Sequence, residues 1–334
     1  MKNKMFFLMA LILLTCFVCC GCNNSKYVTR TEYALGTIVS VKVRGLNENI
    51  ANAAIDKAFE RLFDIERLSS AKRPESELSY VNQNAFERDV VISDELFFLV
   101  KSGLFYSELT NGSFDITLGG VVELWGIGTD NARVPSSEEI EIALGDCGFE
   151  YLVMDKETNT VRFLKSGLKI DLGGIAKGYA ADEMKRVLLE SGVKTALLDL
   201  GGNIMVIGDN SGSPWTIGVT DPLEPGNICA MLRITDKTVV TSGNYERYFT
   251  YEGKNYHHIF DRNTGFPAES GLISATVIAD NSMDADALST AFFVMGAEKA
   301  AALANSALTG TDYILIDRNM NFTHSENIEL EIIK

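Results

Sequence analysis

Cysteine is nearly confined to one end of this 334-residue chain. Cys16, Cys19, Cys20 and Cys22 crowd the N-terminus, and beyond them only Cys147 and Cys229 remain. Neither of those two sits at metal-ligand spacing, so both read as small buried hydrophobes, with a disulfide between them left open. Histidine is scarcer still, with only His257, His258 and His324. Positive charge is in deficit, 30 Lys and Arg against 45 Asp and Glu, for a formal net charge of −15. That balance argues against a nucleic-acid partner, which needs clustered basic residues. It argues equally against the domain itself binding anionic lipid. No low-complexity stretch or clean linker divides the chain, and neither a Walker loop nor a G-x-G-x-x-G turn is present.

What is there begins with an address. Lys2 and Lys4 precede an apolar run from Met5 to Val18, and small residues come next, the three regions of a secretory signal. The run is shorter than the about 20 apolar residues a membrane-spanning helix needs. Residues 1–21 are therefore read as a leader. Cys22 is the expected lipidation site, because Gly21 precedes it and Asn23-Asn24-Ser25-Lys26 turns polar at once. Ordinary cleavage without a lipid is the alternative, and Cys19 and Cys20 compete as acceptors. Removing the leader takes away two lysines and no acid, so the mature protein is more negative still. Residues 22–30 read as a polar tether and 31–334 as one domain, exported and facing away from the cytoplasm. The membrane would be reached through the lipid alone.

Within 31–334 the periodicities alternate. Thr37 to Val43 alternates like a strand, and the apolar positions of 50–67 fall at helical spacing. Residues 69–84 read as polar turns and 94–109 as a helix. Ser136 with Glu139 makes a capping box. Strand-like runs occur at 151–155, 160–164, 196–200, 204–207, 215–219, 229–234 and 272–279. Helices are expected at 175–190, stopped by Gly192, and at 283–294. Strands outnumber helices, and hairpin-length turns such as Glu157-Thr158-Asn159 and Glu252-Gly253-Lys254 join several, which favours α+β over a doubly wound sheet. Asp171-Leu172-Gly173-Gly174 is echoed by Asp199-Leu200-Gly201-Gly202.

Four segments carry chemistry. Asp171 to Tyr179 reads as strand, two glycines and a helix start, an arrangement that aims free N–H groups at an anion, with Lys177 adding charge. The rival reading is that the glycines serve only a tight turn. On the helix after Met283, Asp286 and Thr290 are four apart and share one face. A carboxylate and a hydroxyl on an apolar helix suit a hard cation such as Mg²⁺, with Asp284 left to cap the helix. His257 and His258 point to opposite faces if both are in a strand, so at most one faces a site, where a neutral imidazole could act as a base. Two surface histidines is the bland alternative. The turn Thr110 to Thr117 beside Trp125 could wrap a planar ring or be an ordinary hairpin.

Together these segments resemble the ApbE family, the FAD:protein FMN transferases. The matching pieces come in family order: Leu35-Gly36-Thr37, Ser76-Glu77-Leu78-Ser79 with Asn82, Ser113 to Thr117, Asp171 to Tyr179, His258 to Asp261 with Thr264-Gly265 and Pro267, and Ala285 to Thr290. They span residues 31–320. The resemblance implies a T-fold-like α+β arrangement, with mixed or antiparallel sheets and helices around a central cleft. It implies a metal site of Gly174, Asp286 and Thr290, with Ser289 adjacent. It implies FAD contacts from Leu35, Ser113, Phe114, Asp115, Asp171, Lys177 and Phe260, the last through its backbone, and His258 as the catalytic base. The implied reaction is Mg²⁺-dependent transfer of FMN from FAD to a Thr or Ser hydroxyl of an exported acceptor, with AMP released. The implied acceptors are subunits of Rnf-type or sodium-pumping quinone reductase complexes. An FAD pyrophosphatase, or a non-enzymatic flavin-binding lipoprotein, would use the same pocket. One departure stands out at Lys72, where the family often has an aromatic residue or Asn.

Overall fold

The computed structural model describes residues 26–333, so the leader and Cys22 lie outside the described residues. In chain order, strands β1 (Val28–Ala34) and β2 (Thr37–Arg44) lead to helices α1 (Glu48–Ser69) and α2 (Glu77–Asn84). After β3 (Val90–Val91) come α3 (Asp94–Leu109), α4 (Gly119–Trp125) and α5 (Ser137–Asp146). Strands β4 (Leu152–Asp155) and β5 (Thr160–Phe163) precede α6 (Ala176–Glu190), β6 (Thr195–Leu200) and β7 (Asn203–Ile207). Next are β8 (Trp215–Thr220), β9 (Ile228–Ile234), β10 (Thr238–Gly243), β11 (Tyr248–Tyr251), β12 (Lys254–His257) and β13 (Leu272–Ala279). The chain closes with α7 (Ser282–Met295), α8 (Ala297–Ala307), β14 (Asp312–Asp317), β15 (Phe322–His324) and β16 (Leu330–Ile332).

The expected α+β class is what the chain forms. Eight strands make one antiparallel sheet in the order β1-β2-β6-β7-β10-β13-β14-β15. One face of it packs on helices: α1 and α6 against β1, β2, β6 and β7, and α7 against β10 and β13. The other face packs on a small sheet of order β16-β9-β8, through Val239, Ile278 and Ile314 against Trp215, Ile217 and Leu232. Covering on both sides explains why every residue of β13 is buried, where a half-covered strand would alternate.

Two expectations are corrected. Residues 69–84 are not all turn: Ser76 accepts a hydrogen bond from the Ser79 amide and starts α2, which is short and half polar. Residues 28–30, expected to belong to a tether, are already part of β1, where Val28 pairs with Val43. The capping box of Ser136 and Glu139 forms as expected, with Glu139 also accepting from Arg133. Among the described residues, no helix is long and apolar enough to cross a membrane.

Candidate active site

The site is built on the crossing of α6 and α7. A Cβ on Gly178 would lie 2.2 Å from the Ser282 carbonyl oxygen and 2.6 Å from the Met283 Cα, so only glycine allows the two helices this close. The crossing is fixed from both sides. The Asp182 carboxylate accepts hydrogen bonds from the amides of Ser282 (2.9 Å) and Met283 (2.8 Å) at the start of α7. There the free N–H groups favour negative charge. The residue that caps α7 is Asn281, whose side chain accepts from the Asp284 amide, and not Asp284 itself. In return α7 offers Asp286 to the first turn of α6. Its carboxylate accepts from the Gly178 amide (2.9 Å) and from Lys177 Nζ (2.8 Å). Asp286 is only 2% exposed, and a buried carboxylate of that kind needs such partners.

Oxygen donors gather beside it. Thr290, one turn on, lies on the same face, and a Cβ on Gly174 would sit 3.6 Å from its hydroxyl. Ser289 is turned into the protein, where it meets the Ser242 hydroxyl of β10 at 2.9 Å; Ser242 also reaches Thr290 at 3.4 Å. Of the four residues expected at a metal, Gly174 and Thr290 lie side by side with Asp286 one turn before Thr290, while Ser289 faces Ser242 instead. Among the described residues there is no cluster of three or more His, Cys, Asp or Glu side chains suited to a metal. The donor set is one carboxylate, hydroxyls and a carbonyl, all hard oxygens.

The glycine turn is held from behind. Asn82 of α2 both donates to and accepts from the backbone of Ile170, each at 2.8 Å. The Asp171 amide donates to the Ile116 carbonyl, and its carboxylate accepts from the Gly173 amide, both at 2.8 Å. Phe114 closes the turn from the other side, since a Cβ on Gly174 would come within 2.9 Å of its ring. Ser113 is half-buried next to it. Asp115 faces inward. Its Oδ1 accepts from the Thr117 amide (2.8 Å) and hydroxyl (2.6 Å), while Oδ2 has only Arg262 at 3.3 Å. Burial pushes its carboxyl above the usual range, against the pull of those bonds. Its place is therefore to tie the 110–117 turn to the 261–266 turn. Phe260 is also buried, its ring 5.8 Å from that of Trp125, so any contact with a ligand falls to its backbone.

The two histidines part as their positions demand. His257 ends β12 and is buried edge-on against Phe293, with Nε2 at 3.2 Å from the Ala268 carbonyl; burial lowers it to about 4. His258 is half-buried beyond the strand, with Nδ1 at 3.2 Å from the Arg247 carbonyl. Desolvation and the neighbouring Arg247 charge lower it to about 3, so it is neutral near pH 7. A proton on Nδ1 bonded to that carbonyl leaves Nε2 free to accept another. Arg247 also reaches the Gly36 carbonyl, next to Leu35. Leu35 holds a φ of +51°, unusual for a branched side chain, and its amide donates to Glu66 at 2.7 Å.

Sequence reasoning missed Ser242, Glu246 and Arg247. Glu246 keeps a solvent-exposed edge, yet desolvation by the surrounding protein pushes its carboxyl up to about 7, against the pull of Lys177 and Arg247. No spacing marks these residues: Ser242 meets α7 from β10, and Glu246 and Arg247 lie between β10 and β11. Next to the glycine turn lies a cavity of about 470 Å³ whose wall includes Asn82, Gly119, Lys169, Asp171 and Lys72. The departure noted at Lys72 thus falls on this cavity wall.

The chain matches the sequence model of the ApbE family over residues 35–315. It is 37% identical over 314 residues to the FAD:protein FMN transferase of Treponema pallidum, covering 89% of this chain and 86% of that protein. The FAD:protein FMN transferase of Klebsiella pneumoniae is 34% identical, with 84% and 86% covered. Among solved structures, the ApbE protein of Thermotoga maritima superposes with a TM-score of 0.84 at 36% identity, over 90% of this chain and 97% of that one. The flavin transferase ApbE of Vibrio cholerae gives a TM-score of 0.79 at 28% identity, over 90% and 96%. With the motif residues assembled at one crossing, and the likeness spanning nearly the whole domain, the chain belongs to the ApbE family.

Proposed function

We propose that this protein transfers the FMN part of FAD to a Thr or Ser hydroxyl of an acceptor protein. The observation that carries the reading is the crossing itself, which brings Asp286, Thr290, Lys177 and Gly174 to one point. His258 lies within the same electrostatic field, since Lys177 is among the charges that lower it. The relatives' shared name supports the transfer, and the donor set supports Mg²⁺ as its metal. One carboxylate with neutral oxygens is the kind of site Mg²⁺ shares with substrate phosphates. Bound there through Gly174, Asp286 and Thr290, the ion would supply Lewis-acid polarisation of the pyrophosphate.

The chain's own groups do the rest. The first amides of α6 and the Lys177 ammonium favour the pyrophosphate charge. His258 Nε2 takes the proton of the acceptor hydroxyl while its oxygen forms a bond to the FMN-side phosphorus. The bond from that phosphorus to the bridging oxygen breaks, and AMP leaves with the electron pair. His258 is a weak base when lowered to about 3. Anionic pyrophosphate beside Lys177 and Arg247 counters two of the charges that lower it and raises its affinity for the proton.

The expected acceptors are exported subunits of Rnf-type or sodium-pumping quinone reductase complexes. Lipid at Cys22 would hold the enzyme outside the cytoplasm, at the membrane where such subunits sit. The test is to incubate the protein with FAD, Mg²⁺ and the extracytoplasmic acceptor domain of each type, then weigh the acceptor. A gain equal to esterified FMN is expected, and an unchanged mass with both acceptors sinks the reading. FMN and AMP released with no acceptor labelled would identify a pyrophosphatase instead.

A further inference from the structure

Arg262 lies four residues beyond His258 and opens the 261–266 turn, which Trp125 holds by donating to the Gly265 carbonyl at 2.8 Å. Its side chain is only 23% exposed and crosses to two other loops. On one side it passes over Gly112, where a Cβ would lie 2.5 Å from the Arg262 Cδ and 2.6 Å from Nη1. Gly112 also has a φ of +79°, so conformation and close approach both call for glycine. From there Nη1 reaches Asp115 Oδ2 at 3.3 Å. On the other side the guanidinium lies over Phe149, 4.8 Å from the ring centre, and Nη2 donates to both carboxylate oxygens of Glu150 at 3.3 and 3.2 Å. A planar, delocalised cation can stack and donate in this way at once.

The contacts close a circuit. The Thr117 hydroxyl donates to Asp115 Oδ1 at 2.6 Å, its oxygen accepts from the Gly148 amide at 2.9 Å, and Phe149 and Glu150 come next in the chain. Arg262 completes the path from Glu150 back to Asp115. The Asp115 side chain is fully buried, and among the described residues Oδ2 has no hydrogen-bond partner, so the arginine is what answers its charge. Stripping the cation from such a carboxylate is costly. The charged groups facing Asp115 are Arg262 and Glu150; the nearby Cys147 thiol, pushed up to about 12 by burial, is neutral. The circuit has a function at each end. Ser113 and Phe114 share the turn with Asp115, and the Phe114 ring packs where a Cβ on Gly174 would be, whereas His258 and Phe260 lead directly into Arg262.

We propose that Arg262 is a positioning residue for FAD: through Asp115 and Glu150 it locks the 113–115 segment to the segment that carries His258 and Phe260. The inference rests on the FAD reading of this site and adds a residue to it. The matched motif pieces flank Arg262 without including it, so it is this chain's own brace. Removing the cation leaves Asp115 beside Glu150 with no counter-charge, and its carboxyl then takes up a proton at higher pH than in wild type. The ionised form keeps the circuit intact, so FAD affinity is held above that raised value and lost as pH falls through it.

The test is FAD affinity, read by flavin fluorescence from pH 6 to 8, for wild type, Arg262→Gln, Arg262→Lys and Arg262→Gln combined with Asp115→Asn, each checked by size-exclusion elution. Glu246 and Asp182 titrate near this window in all four proteins, so the readout is the ratio of each variant's Kd to that of wild type. In Arg262→Gln the ratio should be about tenfold or more at pH 6 and fall toward pH 8. Lysine should flatten it, because an ammonium still faces Asp115, and asparagine at 115 should flatten it by removing the group that titrates. A ratio in Arg262→Gln that does not change with pH overturns the proposal, since a loss of general stability weakens binding alike at every pH. Should that variant fail to fold, Glu150→Gln at a half-exposed position decides: freeing Nη2 should weaken FAD binding by about threefold or more with elution unchanged, and unchanged affinity overturns the proposal. Wild type that binds no FAD sinks the FAD reading and the proposal with it, a result distinct from a binding wild type whose variants match it.

Discussion

Gly178→Ala is the substitution that asks most of the proposed architecture. A methyl group there would stand 2.2 Å from the Ser282 carbonyl oxygen and 2.6 Å from the Met283 Cα, whereas real contacts begin beyond 3.0 Å. Both neighbours are backbone, so no side chain can swing aside, and α6 and α7 must separate. Overpacking of this kind costs typically about 1–3 kcal/mol. Alanine returns about 1 kcal/mol through helix propensity. The net expectation is a loss of up to about 2 kcal/mol, read as a lower urea midpoint at unchanged slope. The functional loss should be larger than the stability loss. Separation stretches the 2.9 Å bond from the Gly178 amide to Asp286 and moves the carboxylate away from Lys177 and Gly174. FAD cleavage should therefore fall steeply in protein that is still folded. Gly145→Ala is the control: that helical glycine has nothing within 4 Å of a Cβ and should be neutral or slightly stabilised. A Gly178→Ala protein as stable and as active as Gly145→Ala would refute the claim that this contact builds the site.

Three further outcomes are expected. His258→Ala should keep FAD affinity while transfer falls by about 10²–10⁴; parallel loss of binding, measured by flavin fluorescence, would make it a binding residue. Asp286→Asn should fold, retain its contact with Gly178 and lose Mg²⁺-dependent cleavage; full activity across a magnesium titration would remove Asp286 from the metal set. His257 is lowered from 6.5 to about 4 by burial, so the folded protein refuses a proton that the unfolded chain accepts. The stability this represents is full above about pH 6.5 and lost as pH falls toward 4, amounting to about 3 kcal/mol. Glu246 and Asp182, both raised, act in the opposite sense over part of that window. The readout is accordingly the difference in pH dependence between wild type and His257→Gln, and identical slopes between pH 4 and 6.5 would count against the burial argument.

The long helices were legible because their apolar positions repeat at 3.6 residues and are in fact the buried ones, as at Ala51, Ile55, Ala58, Leu62 and Ile65 of α1. α2 was not, because eight residues with a polar face give no period to read, and its contribution to the glycine turn is a single side chain, Asn82, clasping Ile170 from 88 residues away. The cap of α7 was misassigned for a similar reason. Asn281 and Asp284 both favour helix starts, and only the observed bond to the Asp284 amide separates them. Asp286 and Thr290 were legible as a pair through helical spacing alone. Ser242, which joins Ser289 and Thr290 from behind, was not, since nothing local to β10 announces that α7 will cover it.

The repeated Asp-Leu-Gly-Gly shows where local sequence stops deciding. In both copies the aspartate carboxylate accepts from the amide two residues on, Gly173 in one and Gly201 in the other. The turn is shared, yet the outcomes differ. Gly201 and Gly202 go left-handed and fold the chain back into β7, whereas Gly173 and Gly174 do not, and the chain runs into α6. The residues after each turn separate the two: Asn203-Ile204-Met205-Val206 suits a strand, and Ala176-Lys177-Gly178 suits a helix that must start against another helix. The second copy consequently lines a cavity beside Arg247, and the first leads into the crossing of α6 and α7. The difference is completed by Gly178, the residue that lets α7 bring Asp286 to the first copy only.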